Sequence, residues 1–528
     1  MRHLVSLLAS LTLVAPLTAQ CLIDSGGPTP SVARTFYGSY IDTDGDRVVV
    51  GQGTWFGRRS ATVFERGPGG WSIADTLDGG PVTSAGGAPV AISGSTVMIG
   101  NLDDDGETGA VYVYEEIGGT FQQVQILRPS VALFESHFGR RLVLKGDRAV
   151  IAAPMDPTFH PRGGAVYVFD RIGGVWTETA RIEPPSPRPF AFFGLGVDFD
   201  DDRIVVGQPG LVTNGSIAWP VHVFREQAGA WSLERTIDPT RLGFGYSVAV
   251  EGDRLAIGSY REGLPGVPTG AIFVYDRIAA GWVLAERLTN LSLDESQRAP
   301  RFGQRVDFVG SRLLVGTASP ELFGSGDAAY VFEPKGGRFE LVARVVSPMP
   351  NTMYGASVAL AGDDIWVGAP GVDDPSLSFG ETVGQRYVYR IDAQLSDFCA
   401  PPQPNSTGRA GLLSVTGCSE LARNDLALIA SSLPPGLTTL FVLGDATTVV
   451  PNVFGGAGTL CVGGTIGRFA AQTSDAGGRA SLSLDLLQLP SPSGPFAATV
   501  GDVGYLQAVY RDTAGSSNST NALSFVVR

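Results

Sequence analysis

An all-β chain is predicted: a seven-bladed β-propeller of four-stranded antiparallel blades, followed by a small β-sandwich. Three observations carry this. The 528 residues include 70 Gly and 35 Pro, and no long amphipathic helical pattern runs between them. A Gly, usually after an aromatic, is followed seven residues later by a Gly-Asp or similar pair and then by a short apolar run. That first Gly falls at Gly38, Gly87, Gly139, Gly194, Gly245, Gly303 and Gly355, and only Gly87 lacks the aromatic. The copies lie roughly fifty residues apart, the length of one propeller blade.

The fifth copy shows the grammar of a blade. Phe244–Val250 alternates and reads as a first strand. Gly252-Asp253 is a two-residue turn, where Gly supplies the positive φ of a tight hairpin. Arg254–Gly258 is a second strand, Gly270–Tyr275 a third, and Gly281-Trp282 opens a fourth that runs to Leu288. The other copies place their turns at Gly45-Asp46, Gly94-Ser95, Gly146-Asp147, Asp201-Asp202, Gly310-Ser311 and Gly362-Asp363. Fourth strands begin at Trp71, Phe121, Trp176, Trp231, Trp282 and Phe339, aromatics read as packing one blade on the next.

The seventh copy stops after Tyr387-Val388-Tyr389, without a fourth strand. A ring lacking one strand would leave an open edge, and the chain start, within Leu22–Thr35, is the available replacement. Four cysteines allow three pairings: Cys21, Cys399, Cys418 and Cys461. Cys21–Cys399 with Cys418–Cys461 is expected, since each bond then closes one unit.

Phe138-Gly139, Ala152-Ala153-Pro154 and Gly164-Ala-Val-Tyr-Val-Phe169 resemble the FG-GAP repeat of the integrin α-subunit propeller and of many exported bacterial proteins. Tyr354-Gly355 with Gly368-Ala369-Pro370 is similar. The resemblance covers about residues 36–392 and implies a propeller serving recognition or adhesion. In the calcium-binding members an acidic loop joins the first two strands of a blade; here a two-residue turn stands there, so that calcium role is not carried over. Asp103, Asp105 and Glu107 form an acidic loop elsewhere in the second blade, a candidate weak calcium site or else a solvated turn. Asp42, Asp44 and Asp46 alternate around a turn and are a lesser candidate. No other cofactor is expected.

Residues 1–19 read as a secretory signal, with Met-Arg-His, an apolar run and Ala19 at the cut. Residues 20–395 then form the propeller, 396–409 a Pro-rich linker and 410–528 the sandwich. Asn405–Gly408, Leu433-Pro434, Leu460–Gly464 and Leu506–Asp512 resemble a C-terminal module of exported bacterial proteins. The 38 basic and 52 acidic residues give a net charge of −14, which argues against nucleic acid as a partner. No second apolar run is long enough to span a bilayer.

His137, His160 and His222 lack the spacing of a zinc site and read as surface or turn residues. No nucleophile elbow or phosphate-binding loop is present, so a chain without enzymatic activity is expected. The expected function is binding of an extracellular protein or glycan by a secreted or surface-held monomer. The loops between second and third strands are its candidate surface: Asn101–Thr108, Pro154–Arg162, Gly207–Trp219, Ser259–Thr269, Thr317–Asp327 and Ala369–Gln385. Two alternatives stand beside it: a polysaccharide-acting enzyme with a carboxylate pair at the propeller centre, and a structural part of a surface layer.

Overall fold

The computed structural model describes residues 20–28, 35–54, 57–82, 86–210, 220–238, 243–264, 267–289, 301–318, 328–347, 352–374, 381–391, 396–397, 399, 402–408, 410–452, 456–512 and 516–528. The expected signal, 1–19, and parts of four candidate loops (211–219, 265–266, 319–327 and 375–380) lie outside them. Contacts divide the chain into a larger unit, Asp24–Phe339 with Arg344–Tyr389, and a smaller one that includes Arg390–Arg528.

In the larger unit the described residues form seven four-stranded antiparallel sheets, numbered here as blades 1 to 7. Their first strands are Ile41–Asp44, Val90–Ser93, Arg141–Lys145, Gly196–Asp200, Phe244–Glu251, Arg305–Val309 and Ser357–Ala361. Each first strand contacts that of the following blade, and the seventh contacts the first, so the ring is closed around an axis. Second strands such as Arg148–Ala153 are apolar and almost wholly buried, because a neighbouring blade covers each face. Fourth strands such as Val175–Ile182 alternate between buried and exposed, as expected of the outermost strand.

The seventh blade is completed by a strand from the chain start, as the strand count predicts, though this strand begins at Gln20, two residues before the expected Leu22–Thr35. Gln20–Gly26 pairs beside Gln385–Ile391, which pairs with Asp364–Ala369 and then Ser357–Ala361. Arg386 fastens this seam: Nη2 donates to Asp24 Oδ2 at 2.7 Å, and the guanidinium lies 4.3 Å from the Phe64 ring centre in blade 1.

The Gly and the aromatic of the repeat have separate tasks. The aromatic packs on the third strand of its own blade, as Phe138 does on Tyr167 at 5.4 Å and Phe244 on Phe273 at 5.5 Å. The Gly presents its carbonyl to a second glycine, at the end of the preceding blade's second strand, where backbone meets backbone between blades. A Cβ on Gly207 would stand 1.9 Å from Gly245 O, and one on Gly258 2.0 Å from Gly303 O. In blade 2 the carbonyl in that role belongs to Ala88, one residue beyond the expected Gly87. There the buried Arg59 of blade 1 donates to Gly87 O, to Asn101 Oδ1 at 3.2 Å and to Asp103 Oδ2 at 3.1 Å.

The aromatics that open the fourth strands face the preceding blade. Arg47, Arg148 and Arg254, each just after a first hairpin, stack on Phe121, Trp231 and Phe339 of the following blade at 5.8, 5.4 and 5.1 Å. Trp71 packs edge-on to Trp366 at 5.0 Å and donates to Asp364 Oδ2 at 2.9 Å.

Among the described residues, in addition to a two-stranded sheet of Ala446–Pro451 and Thr459–Gly463, the smaller unit packs two main sheets as a sandwich. One runs in the order Ser396–Asp397, Ser517–Val526, Val503–Arg511, Thr438–Gly444 and Gly467–Arg468, with Gln472–Thr473 also on Thr438–Gly444. The other is Leu412–Thr416, Ala427–Ser431 and Ala480–Ser483. Leu413, Val415 and Leu428 of the second sheet share a core with Phe441, Leu506, Leu523 and Phe525 of the first.

The expected cysteine pairing is corrected here. Cys399 is bonded to Cys461 across 62 residues, so neither expected pair forms. Cys399 packs against the cluster of Val442, Cys461, Val462 and Ala522, a proximity that spacing alone cannot show. Cys418 is also disulfide-bonded, and the Cys21 side chain lies outside the described residues. Among the described residues, no helix is long and apolar enough to cross a membrane.

Candidate functional site

The two candidate loops that are fully described rest on a contact repeated from blade to blade. In blade 3, Asp156 at the loop base accepts from Tyr167 OH at 3.1 Å and from Arg181 Nη2 at 3.3 Å, and Arg181 stacks on Tyr167. In blade 2 Asp104 and Tyr112 hold the same places, while the Arg is Arg128, just past the end of the fourth strand, with Asp104 accepting at 2.7 and 3.0 Å. Blade 5 uses Glu262, Phe273 and Arg287. Blade 4 has an uncharged variant: His222 and Thr236 hold the places of Tyr167 and Arg181, and His222 also bonds Gln208, directly after the second strand, each bond 3.1 Å. In blades 3 and 5 an acid after the second strand, an aromatic on the third and an Arg on the fourth thus pin the base of a loop, and blades 2 and 4 carry variants of the same contact.

This arrangement accounts for residues singled out from the sequence. Asp103 is committed to Arg59, with both side chains essentially out of solvent. Asp105 is exposed, and Glu107 faces His137 Nε2 at 3.4 Å. Among the described residues, no three of His, Cys, Asp or Glu gather as metal ligands. The reading of His222 as a surface or turn residue is overturned: it is buried in the blade 4 anchor, and burial pushes its pKa down to about 4.

The side chains that converge elsewhere do so on the ring axis, where first strands enclose a cavity of about 190 Å³. Counting back from each first hairpin, alternate residues fall into three levels. The level nearest the second-to-third-strand loops holds Tyr40, Arg141 and Arg305, with Ser247 and Ser357. The middle level holds Asp42, Asp198 and Asp307 from blades 1, 4 and 6. The level nearest the hairpins holds Asp44, Lys145, Asp200 and Glu251.

Several of these carboxylates bind blade to blade. Asp42 Oδ2 accepts from Ile92 N at 2.8 Å, and Asp198 Oδ2 from Val250 N at 2.7 Å. Asp44 and Asp200 accept from Gly94 and Gly252 N–H groups, and Glu251 from Gly310 N–H. Lys145 Nζ lies 3.5 Å from Asp198 Oδ1. Burial works against its charge, yet Asp198, Asp200, Asp307 and Glu251 together hold its pKa above the ordinary value.

Burial and mutual repulsion raise the proton affinity of the middle level. Asp42 is pushed up to about 6, first by burial and also by Asp44. Asp198 is raised by burial. Asp307, which keeps some surface open to the channel, is raised well above the usual range by burial and then by Asp198 and Asp42. A carboxyl that binds protons more tightly folded than unfolded favours the fold most below its unfolded pKa of about 3.9. That advantage is lost as pH rises through the folded value. Asp307→Asn is therefore expected to raise the melting temperature at pH 7.5 by about 2 °C or more and to leave it unchanged at pH 4. An equal gain at both pH values would show that charge is not the cause.

No protein-family model and no curated protein matches this chain. Among solved structures it is similar to the β-propeller domain of the Trilobed protease from Pyrococcus furiosus, with a TM-score of 0.40 and 12% identity over 63% of this chain and 91% of that one. It is also similar to Pyrococcus horikoshii acylaminoacyl peptidase, with a TM-score of 0.40 and 10% identity over 75% of this chain and 57% of that one. The chain thus spans little more than half of the second protein. These findings correct the expectation of a chain without enzymatic activity, which rested only on missing motifs; both similar propellers belong to peptidases. A substrate does not travel with a fold, and none is carried over.

Proposed function

We propose that this is an exported recognition propeller, of FG-GAP type, that binds a protein or glycan at a cell surface or in an extracellular matrix. The observation that carries the reading is the repeated anchor under the second-to-third-strand loops. It gives rigid bases to loops whose sequences differ from blade to blade, the arrangement in which loops carry recognition. Export is supported by the leader-like residues 1–19 and by the Cys399–Cys461 bond, which suits an oxidising compartment. The FG-GAP reading is supported by the separate packing tasks of the Gly and its aromatic.

The test is retention of the mature chain on cell envelopes and on insoluble polysaccharides, with calcium and with chelator. Saturable retention is expected, and substitutions in Pro154–Arg162 or Asn101–Thr108 should weaken it. Chelator sensitivity would direct attention to Asp105 and Glu107, the acids of that loop not committed to Arg59, as metal contacts. No retention on any matrix would sink the reading.

A second reading is favoured by one observation: carboxyls with raised proton affinity meet on the axis, as action on a polysaccharide at the propeller centre requires. Release of reducing sugar ends by the wild type, abolished in Asp198→Asn and Asp307→Asn, would select it. Absence of released sugar from every polymer that the chain retains would discard it.

A further inference from the structure

The loop-side level of the channel sets two guanidiniums on one aromatic ring. Arg141 comes from blade 3 and Arg305 from blade 6, and each Cζ lies 5.4 Å from the Tyr40 ring centre. Both are aimed by backbone of the following blade: Arg141 Nε donates to Leu195 O and Arg305 Nε to Ala356 O, each at 3.0 Å. Arg141 Nη1 also donates to Tyr40 OH at 2.7 Å. Two fixed cations therefore line one cavity in a chain whose net charge is −14. A guanidinium presents a rigid fork of N–H donors that suits a carboxylate.

The levels also set how far such a ligand enters. An acid arriving from the loop face meets Arg141 and Arg305 first; one level deeper, Asp42, Asp198 and Asp307 repel it. A cavity of about 190 Å³ takes a side chain or a chain end, not a folded element. The tyrosines that line it are already engaged, Tyr40 by the two guanidiniums and Tyr246 by Tyr260 at 4.8 Å. Neither is set aside to stack on a sugar, so the ligand class favoured is a protein carboxylate.

We propose that Arg141 and Arg305 form a receptor for a carboxylate of a protein partner, an acidic side chain or chain terminus, inserted on the propeller axis. This rests on the recognition reading above and names its ligand class. The experiment titrates a labelled hexaglutamate peptide, with hexaglutamine as control, into the full mature chain at low salt. Saturable binding of hexaglutamate alone is expected, weakened at least tenfold by Arg141→Gln and by Arg305→Gln. Arg148→Gln, on the outer stack with Trp231, should bind like wild type. Where Arg141→Gln fails to fold, Tyr40→Phe withdraws the hydroxyl that holds Arg141 and keeps both charges; it too should weaken binding.

No saturable binding to the wild type overturns the proposal, as does unchanged binding in the folded Arg305→Gln variant. Binding of polygalacturonate but not of the peptide overturns it in favour of a glycan acid. The two readings fail separately. Envelopes that retain Arg141→Gln and Arg305→Gln as well as wild type remove the channel receptor and leave recognition by the loops. Wild type retained on no matrix removes recognition itself.

Discussion

Gly368→Ala is expected to destabilise the chain by about 3 kcal/mol or more, at the upper end for a single added carbon. Its Cβ would stand 1.8 Å from Gly38 O and 2.4 Å from Ser357 Oγ, at the seam between blades 7 and 1. Gly38 cannot easily yield, because its N–H donates to Gly51 O at 3.1 Å and its carbonyl accepts from Ser357 Oγ at 2.7 Å. A fall of at least about 5 °C in melting temperature follows. Gly252→Ala is the matched control: at φ +56° with open space around it, only backbone strain is added, about 1 kcal/mol. Equal losses at the two sites would mean that the seam has room to spare.

Removal of Gln20–Gly26 is expected to cost more, turning a closed ring into one with a bare strand. Gln385–Ile391 would lose its outer neighbour and expose unpaired N–H and C=O groups. The Arg386 bond to Asp24 would go with it. Size-exclusion chromatography should show association or aggregation where the intact chain elutes as one species. A peptide of residues 20–26 added in trans should suppress it, by strand addition to the exposed edge. A truncated chain that stays monomeric and melts with the intact one would show that closure does not depend on this strand.

The blades were legible because their signals are local. The turn at Gly252-Asp253 and the strands on each side were placed within a residue or two, since hairpin chemistry and apolar runs are written in adjacent positions. The missing fourth strand was legible by counting. What joins distant positions was not. The fold buries Arg59 against Asp103, and a sequence shows two charged residues without showing that they meet. Cys399 and Cys461 become neighbours through a sheet whose register the cysteine spacing does not encode. The axial carboxylates were foreseen only as a pair somewhere at the centre. Asp198 and Asp307 are singled out by their place in the first strand, three residues before the hairpin, a position that the repeat itself defines once blades are aligned on their turns. The loop anchor of Asp156, Tyr167 and Arg181 could have been found in the same way.

The pairing of the first strand with the last blade also sets a clock. Gln20–Gly26 is synthesised before its partner Gln385–Ile391 by roughly 360 residues. At roughly 5–20 residues per second, that wait is some tens of seconds. Throughout it the early segment must stay unclaimed by other strand edges. The ring is thus fastened by a strand made long before its partner, and its last blade cannot be complete until both are present.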